Sequence, residues 1–344
     1  MAYRLEQLNR SGIPPLLAGI ESLEQWKDKL AGIRTTWLTY IGGLPAGVPV
    51  RTDSYSRSEH TGYTRYGIRY DTVYADEVTA YLLVPHEPKF KHLPGGGYPA
   101  VLALHPTIGQ GKDDIALASG RPNRRYAVEL AQRGYVVLAP DALTAGERIY
   151  PGKAAFDSGP FDERYLHWST VAKNIADHRQ AIDVLSSLKD VNPEAIGAIG
   201  HSFGAYNAYF LAGMDNRVRA VIASCGFSPF TGDRNPEHWS YRSYPYTHIP
   251  NLSADLKRGE VPFDFHEIIA LSAPTPFFGY SGQNDKIFPH WEAIGGGYLE
   301  LKKLYGWLGE EESFQSYIGT GAHDFPEDIR RLAYAFLDRW LANE

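Results

Sequence analysis

The 344-residue chain has a single cysteine, Cys225, so no intramolecular disulfide can form and the cysteine-rich zinc patterns are excluded. It has no stretch approaching the roughly 18 consecutive apolar residues of a membrane span. The opening Met1-Ala2-Tyr3-Arg4-Leu5-Glu6-Gln7 lacks the apolar run of a secretory signal. Basic charge is not in excess either: 34 Lys and Arg face 40 Asp and Glu, for a net charge of −6, and no basic run offers a surface for phosphates. Nucleic acid and anionic membranes are therefore not expected partners. No internal repeat is present, and low complexity is confined to the glycine runs at 95–97 and 295–297. These absences lead to the expectation of a soluble, cytoplasmic protein. What is present is apolar and aromatic: 43% hydrophobic residues, with 23 Tyr, 15 Phe and 7 Trp, enough to fill the core of one large α/β domain with insertions.

Residues 1–60 differ from the rest. They carry helix-like segments around Ser22–Leu30, a turn-rich passage at Gly42–Pro49 and no strong strand, and read as a helical extension on a main domain of residues 61–344. Tyr63–Tyr70 and Val78–Val84 are rich in β-branched and aromatic residues, as antiparallel strands are, and Pro88–Pro99 reads as a loop. Short runs apolar on both faces follow, at Ala100–Leu104, Tyr135–Ala139, Ile196–Ile199, Val218–Ala223, Pro276–Tyr280 and Phe314–Ile318, with the character of central parallel strands. Between them lie helical patterns: Val171, Ile175, Ile182 and Leu185 on one face, Tyr126 and Leu130 before Gly134, and Leu332, Phe336 and Leu337 near the end. Alternation of this kind predicts an α/β fold built on a doubly wound, mostly parallel sheet. One connection, of about fifty residues, exceeds the usual crossover length. It suggests a lid-like insertion over residues 226–273, holding Trp239, Tyr241, Tyr244, Tyr246 and His248.

The clearest chemical signal is Gly200-His201-Ser202-Phe203-Gly204, between an apolar strand and a helix-like segment. That strand–turn–helix context is what a nucleophilic serine needs, since glycines permit the sharp reversal that exposes its hydroxyl. A serine needs a base, and the base an orienting acid. Among twelve histidines, His323 lies after the last strand and before the last helix; His201 adjoins the serine and His105 ends a strand. Asp285 follows the strand Pro276–Tyr280, giving the order Ser202, Asp285, His323, whereas Asp324 adjoins His323 and Asp215 sits at a helix end. The oxyanion would take the N–H of Phe203 and, because Pro106 has none, that of Thr107, with Ile108 as fallback. Arg148, after the strand Tyr135–Ala139, is a candidate substrate contact or a structural ion pair. Trp239 and Tyr244 are candidates for stacking on a sugar or aryl group, or for packing of the insertion itself. The pair Asp113-Asp114 is poor evidence of a metal site, and none is expected.

The chain resembles the dienelactone hydrolase and acetyl-xylan-esterase-like branch of the α/β-hydrolases from about Tyr63 to Leu341. The resemblance rests on His105-Pro106-Thr107 with Gly111-Lys112-Asp113-Asp114, on Pro140-Asp141 with Gly146-Glu147-Arg148, on Gly200–Gly204, on Phe263–Pro274 and on the ending Gly321-Ala322-His323-Asp324-Phe325-Pro326. It implies a Ser–His–Asp esterase that needs no cofactor and acts on a small-molecule ester. Dienelactone hydrolases proper carry cysteine at the nucleophile position, where this chain has Ser202, so ordinary carboxylic esters of small, acetyl-type acids are the expected substrates. A prolyl-oligopeptidase-like peptidase shares the triad order, and a non-catalytic ligand-binding hydrolase fold is a further alternative. The oligomeric state is open, a homodimer included.

Overall fold

A computed structural model of the protein describes residues 2–87, 89–90, 96–243 and 246–342. Nine strands form one twisted sheet: β1 (Thr52–His60), β2 (Tyr63–Thr72), β3 (Asp76–Pro85), β4 (Tyr98–Leu104), β5 (Val136–Pro140), β6 (Val191–His201), β7 (Val218–Ser224), β8 (Phe277–Gly282) and β9 (Phe314–Gly319). Their spatial order is β9-β8-β7-β6-β4-β5-β3-β2-β1. The first three strands pair antiparallel, β3 meets β5 antiparallel, and from β5 onward every neighbour is parallel. Parallel strands require crossovers, which the apolar stripes of α2 (Tyr126–Arg133), α3 (Thr170–Ser187), α4 (Phe203–Met214), α5 (Trp291–Trp307) and α6 (Glu327–Leu337) supply on both faces. This is the α/β-hydrolase fold.

Periodicity located these elements because burial on one helix face or on both strand faces dictates it. Val171, Ile175, Ile182 and Leu185 are all buried along α3. Gly134, at φ 105°, ends α2 as its position implied. Along α6 the buried stripe runs through Ala333, Phe336 and Leu337, and Leu332 lies exposed on its flank, one position off the expected face. The loop at Pro88–Pro99 falls partly outside the described residues.

Residues 1–60 are not wholly helical. The extension's long helix, α1 (Leu23–Ile41), starts at a capping box in which Ser22 Oγ accepts from Gln25 N–H and the Gln25 side chain accepts from Ser22 N–H. It buries Trp26, Ile33, Trp37 and Ile41, and the Trp37 ring meets Phe210 of α4 at 4.8 Å and Phe263 of the insertion at 5.4 Å. Beyond it, Thr52–His60 forms the edge strand β1, hydrogen-bonded to β2. Its sequence, Thr-Asp-Ser-Tyr-Ser-Arg-Ser-Glu-His, is almost wholly exposed, and a polar edge strand leaves no hydrophobic alternation to read.

The insertion after β7 is woven into the core and does not hang over it as a free flap. Phe227, Phe230, Trp239, Ile249, Leu252, Phe263, Phe265 and Ile268 are buried within it. The buried Asp264 carboxylate ties its two ends, accepting from the N–H groups of Phe230, Thr231 and Phe265. At the chain's start Tyr3–Arg4 pairs antiparallel with Glu260–Val261, strapping the insertion from outside.

Candidate active site

Ser202 stands between the last residue of β6 and the first of α4, with φ 55° and ψ −116°, a strained conformation for a residue with a side chain. The turn exists because its neighbours are glycines. A Cβ on Gly200 would lie 2.1 Å from the carbonyl carbon of Gly204, and one on Gly204 would lie 2.0 Å from Leu104 O. Only glycine at both positions lets the helix start close against β6 and β4.

His323 reaches the serine from the loop after β9. Its Nε2 lies 2.8 Å from Ser202 Oγ, and its Nδ1 lies 2.6 Å from Asp285 Oδ2, on the loop after β8. The other Asp285 oxygen accepts from the N–H groups of Ile287 (2.8 Å) and Phe288 (3.1 Å), which fixes the carboxylate's orientation. Burial alone would raise this carboxyl's pKa. The hydrogen bond and charge of His323, with the two backbone N–H groups, outweigh burial and hold it below the usual carboxylate value. The structure thus brings the three sequence candidates into one hydrogen-bonded chain.

The rival acid is occupied elsewhere. Asp324 is bound by Arg124 and by Asn123 Nδ2 at 2.6 Å, while Arg124 Nη2 donates to His323 O at 3.3 Å, so this ion pair pins the loop that carries the histidine. His201 packs its ring 4.9 Å from that of His323, and burial pushes its pKa well below the ordinary histidine value. His105 accepts from Ala142 N–H through Nε2 and therefore donates from Nδ1 to Pro106 O, a neutral tautomer that shapes the loop after β4.

Phe203 begins α4, where a first-turn N–H has no intrahelical acceptor. The loop leaving β4 runs beside it, since Leu104 O and His105 O are the atoms a Gly204 side chain would strike. Thr107, on that loop, has a buried hydroxyl with no hydrogen-bond partner among the described residues. The Phe203 ring is met edge-on by Phe156 at 5.6 Å and Tyr246 at 6.3 Å, and Phe288 stands edge-on to His323 at 5.7 Å. Phe156 and Phe288 carried no motif in the sequence. Phe156 is held at φ 62°, a constraint visible only in the folded backbone.

The weaker candidates are placed differently. Arg148 is not open to a substrate: its side chain is 5% exposed and pairs with Asp177 (2.8 Å) and Asp76 (2.7 Å), which Lys173 also binds. Trp239 is 1% exposed, its ring tilted against Phe265 at 4.0 Å and edge-on to Tyr206 at 5.2 Å, so it packs the insertion. Tyr244 lies outside the described residues. Cys225 is buried beside the triad with its thiol against Asp324 O, and burial followed by the Asp285 charge pushes its pKa up to about 12. Among the described residues, Cys225, Asp285 and His323 form the one cluster of metal-ligating types, but its aspartate and histidine are already bonded to each other. Lys112 is not a surface cation either, being buried between Asp141 and Glu147 at 2.6 Å from each. No helix among the described residues is long and apolar enough to cross a membrane.

Comparison with known proteins bears on the family and the fold. The dienelactone hydrolase family matches residues 93–293, more than half of the chain. YtaP of Bacillus subtilis (strain 168), which carries a hydrolase name, is 27% identical over 306 residues, covering 88% of this chain and 96% of its own. Among solved structures, a glucuronoyl esterase from Solibacter usitatus superposes with a TM-score of 0.72 at 18% identity, covering 95% of this chain and 97% of the other. A Bacteroides fragilis NCTC 9343 protein assigned by name to the acetyl xylan esterases gives 0.67 at 18% identity, over 91% and 81%. At these identities the two structures share the fold.

Proposed function

Because the chain belongs to the dienelactone hydrolase family, we propose that it is a serine carboxylic-ester hydrolase working through an acyl-enzyme on Ser202. The observation that carries this reading is the unbroken chain from Ser202 Oγ through His323 to Asp285, at 2.8 and 2.6 Å. His323 takes the serine proton as Oγ attacks the ester carbonyl, and Asp285 stabilises the imidazolium that forms. The N–H groups of Phe203 and Thr107 receive the oxyanion, with the positive end of α4 behind Phe203. His323 then protonates the departing alcohol, and a water molecule repeats the sequence to release the acid. Apart from the ester and the water, every group in this cycle belongs to the chain, and the cycle calls for no cofactor. Since imidazole accepts a proton only when neutral, turnover falls in acid.

The acyl part is small and acetyl-like. Ser202 is only 5% exposed, and the ring of the adjoining Phe203 is met edge-on by Phe156 and Tyr246, which supports a small acyl group. A panel of p-nitrophenyl esters tests this, with kcat/KM expected to fall by about tenfold or more from acetate to octanoate. Faster cleavage of an aminoacyl p-nitroanilide than of the acetate would favour a peptidase and refute the esterase reading.

A further inference from the structure

At the end of the sheet opposite Ser202, the carboxyl terminus of α4 and the entries to β7 and β8 surround a cavity of about 710 Å³. Four arginines line it: Arg34, Arg179, Arg217 and Arg219. Two of them are satisfied. Arg217 donates from Nε (2.9 Å) and Nη2 (2.6 Å) to the Asp215 carboxylate and from Nη1 to Asp183, while Arg219 pairs with Glu194 at the rim.

Among the described residues the other two have no oxygen acceptor within hydrogen-bond distance. Arg179, 35% exposed, makes only a long ion pair from Nε to Asp215 Oδ2 at 3.8 Å, an oxygen already taken by Arg217, and its Nε has no hydrogen-bond partner among the described residues. Arg34, on the N-terminal helix, reaches only the Met214 sulfur, at 3.9 Å. Around the inner cavity three guanidiniums thus face two carboxylates, Asp215 and Asp183. A buried cationic N–H without an acceptor is costly, and a guanidinium fork is matched by two oxygens of one anion.

We propose that this cavity is a binding site for a small molecule bearing an oxyanion group, a phosphate or a clustered carboxylate, held between Arg34 and Arg179. Such a ligand would supply anionic oxygens to the partly exposed Arg179 side chain and to the exposed Arg34. It would also link the N-terminal helix to α3, so binding stabilises the fold by mass action. The site lies the length of α4 from the nucleophile, about 18 Å for twelve helical residues, and is separate from the hydrolytic centre.

Calorimetric titration of the full chain with inorganic phosphate, pyrophosphate and citrate, at constant ionic strength against chloride, tests the assignment. Thermal melts under the same conditions provide a second readout. Saturable binding with Kd of about 1 mM or tighter is expected. It should weaken by about tenfold or more in Arg179→Ala and in Arg34→Ala and change little in Arg219→Ala, with hydrolysis of p-nitrophenyl acetate unaltered in all three. Binding of the phosphates alone identifies a phosphate site, and equal binding of citrate identifies a general oxyanion site. Arg34 is exposed, so its variant supplies a folded protein even where Arg179→Ala does not. No saturable binding up to about 10 mM, or binding unchanged in both the Arg34 and Arg179 variants, overturns the proposal.

Discussion

Asp285 divides its oxygens between two tasks, one held by backbone N–H groups and one left for His323 Nδ1. Replacing it with asparagine keeps the volume but sets an amide against the ring and disturbs the tautomer that leaves Nε2 free to accept. Asp285→Asn should lower kcat by about four orders of magnitude with little change in KM or in the circular dichroism spectrum. A loss below about tenfold would remove Asp285 from the relay. The neighbouring thiol makes the contrasting case. Cys225 is buried and its pKa is pushed up to about 12, so it should resist iodoacetamide in the native protein at pH 8 and react only after denaturation, as intact-mass measurement would report. Rapid native alkylation would contradict the environment described for it. The sequence could nominate Ser202, Asp285 and His323 because each follows a readable strand. It left open whether Arg148 and Trp239 meet a substrate or are enclosed, because the partners that enclose them, Asp76, Asp177 and Phe265, are not adjacent in the chain.

At the scale of elements, the turn carrying Ser202 depends on two glycines that let β6, α4 and the loop after β4 approach within backbone contact. Gly204→Ala puts a methyl group 2.0 Å from Leu104 O, a backbone atom that cannot turn aside. The expected result is a loss of about 1–3 kcal/mol in urea unfolding, together with a larger proportional loss of activity, because the displaced helix start moves Phe203 N–H. An alanine variant with unchanged stability and rate would show that the contact is not as close as described. Elements buried on a regular period were legible, as α3 and the six central strands demonstrate. The strand β1 was not, since its residues face solvent and its place is set by backbone pairing with β2. The insertion was recognised by length alone. Its integration into the core depends on long-range contacts such as Trp37 with Phe263 and Tyr3–Arg4 with Glu260–Val261.

Across the whole molecule, burial has been imposed on several ionisable groups. His105, His178 and His201 are fully enclosed, and burial drives each pKa down, that of His178 to about 3. The unfolded chain binds protons at these histidines near about pH 6.5, whereas the folded one does not. Stability should therefore decline as pH falls below about 6.5, and for His178 continue to decline toward about 3, by about 1.4 kcal/mol per pH unit from that histidine. Asp76 adds to the loss at lower pH. Burial would raise its pKa, but Arg148 and Lys173 hold it at about 2, so its contribution is complete above about pH 4 and fades as pH drops toward 2. Urea midpoints measured at pH 7.5, 6 and 5 should fall in that order, and a constant midpoint would refute the buried neutral histidines. The central claim is chemical, and stopped-flow mixing with p-nitrophenyl acetate addresses it most directly. Wild type should release a burst of nitrophenolate stoichiometric with enzyme, and Ser202→Ala should show none, its turnover lower by about three to six orders of magnitude. Equal rates in the two proteins would contradict an acyl-enzyme on Ser202.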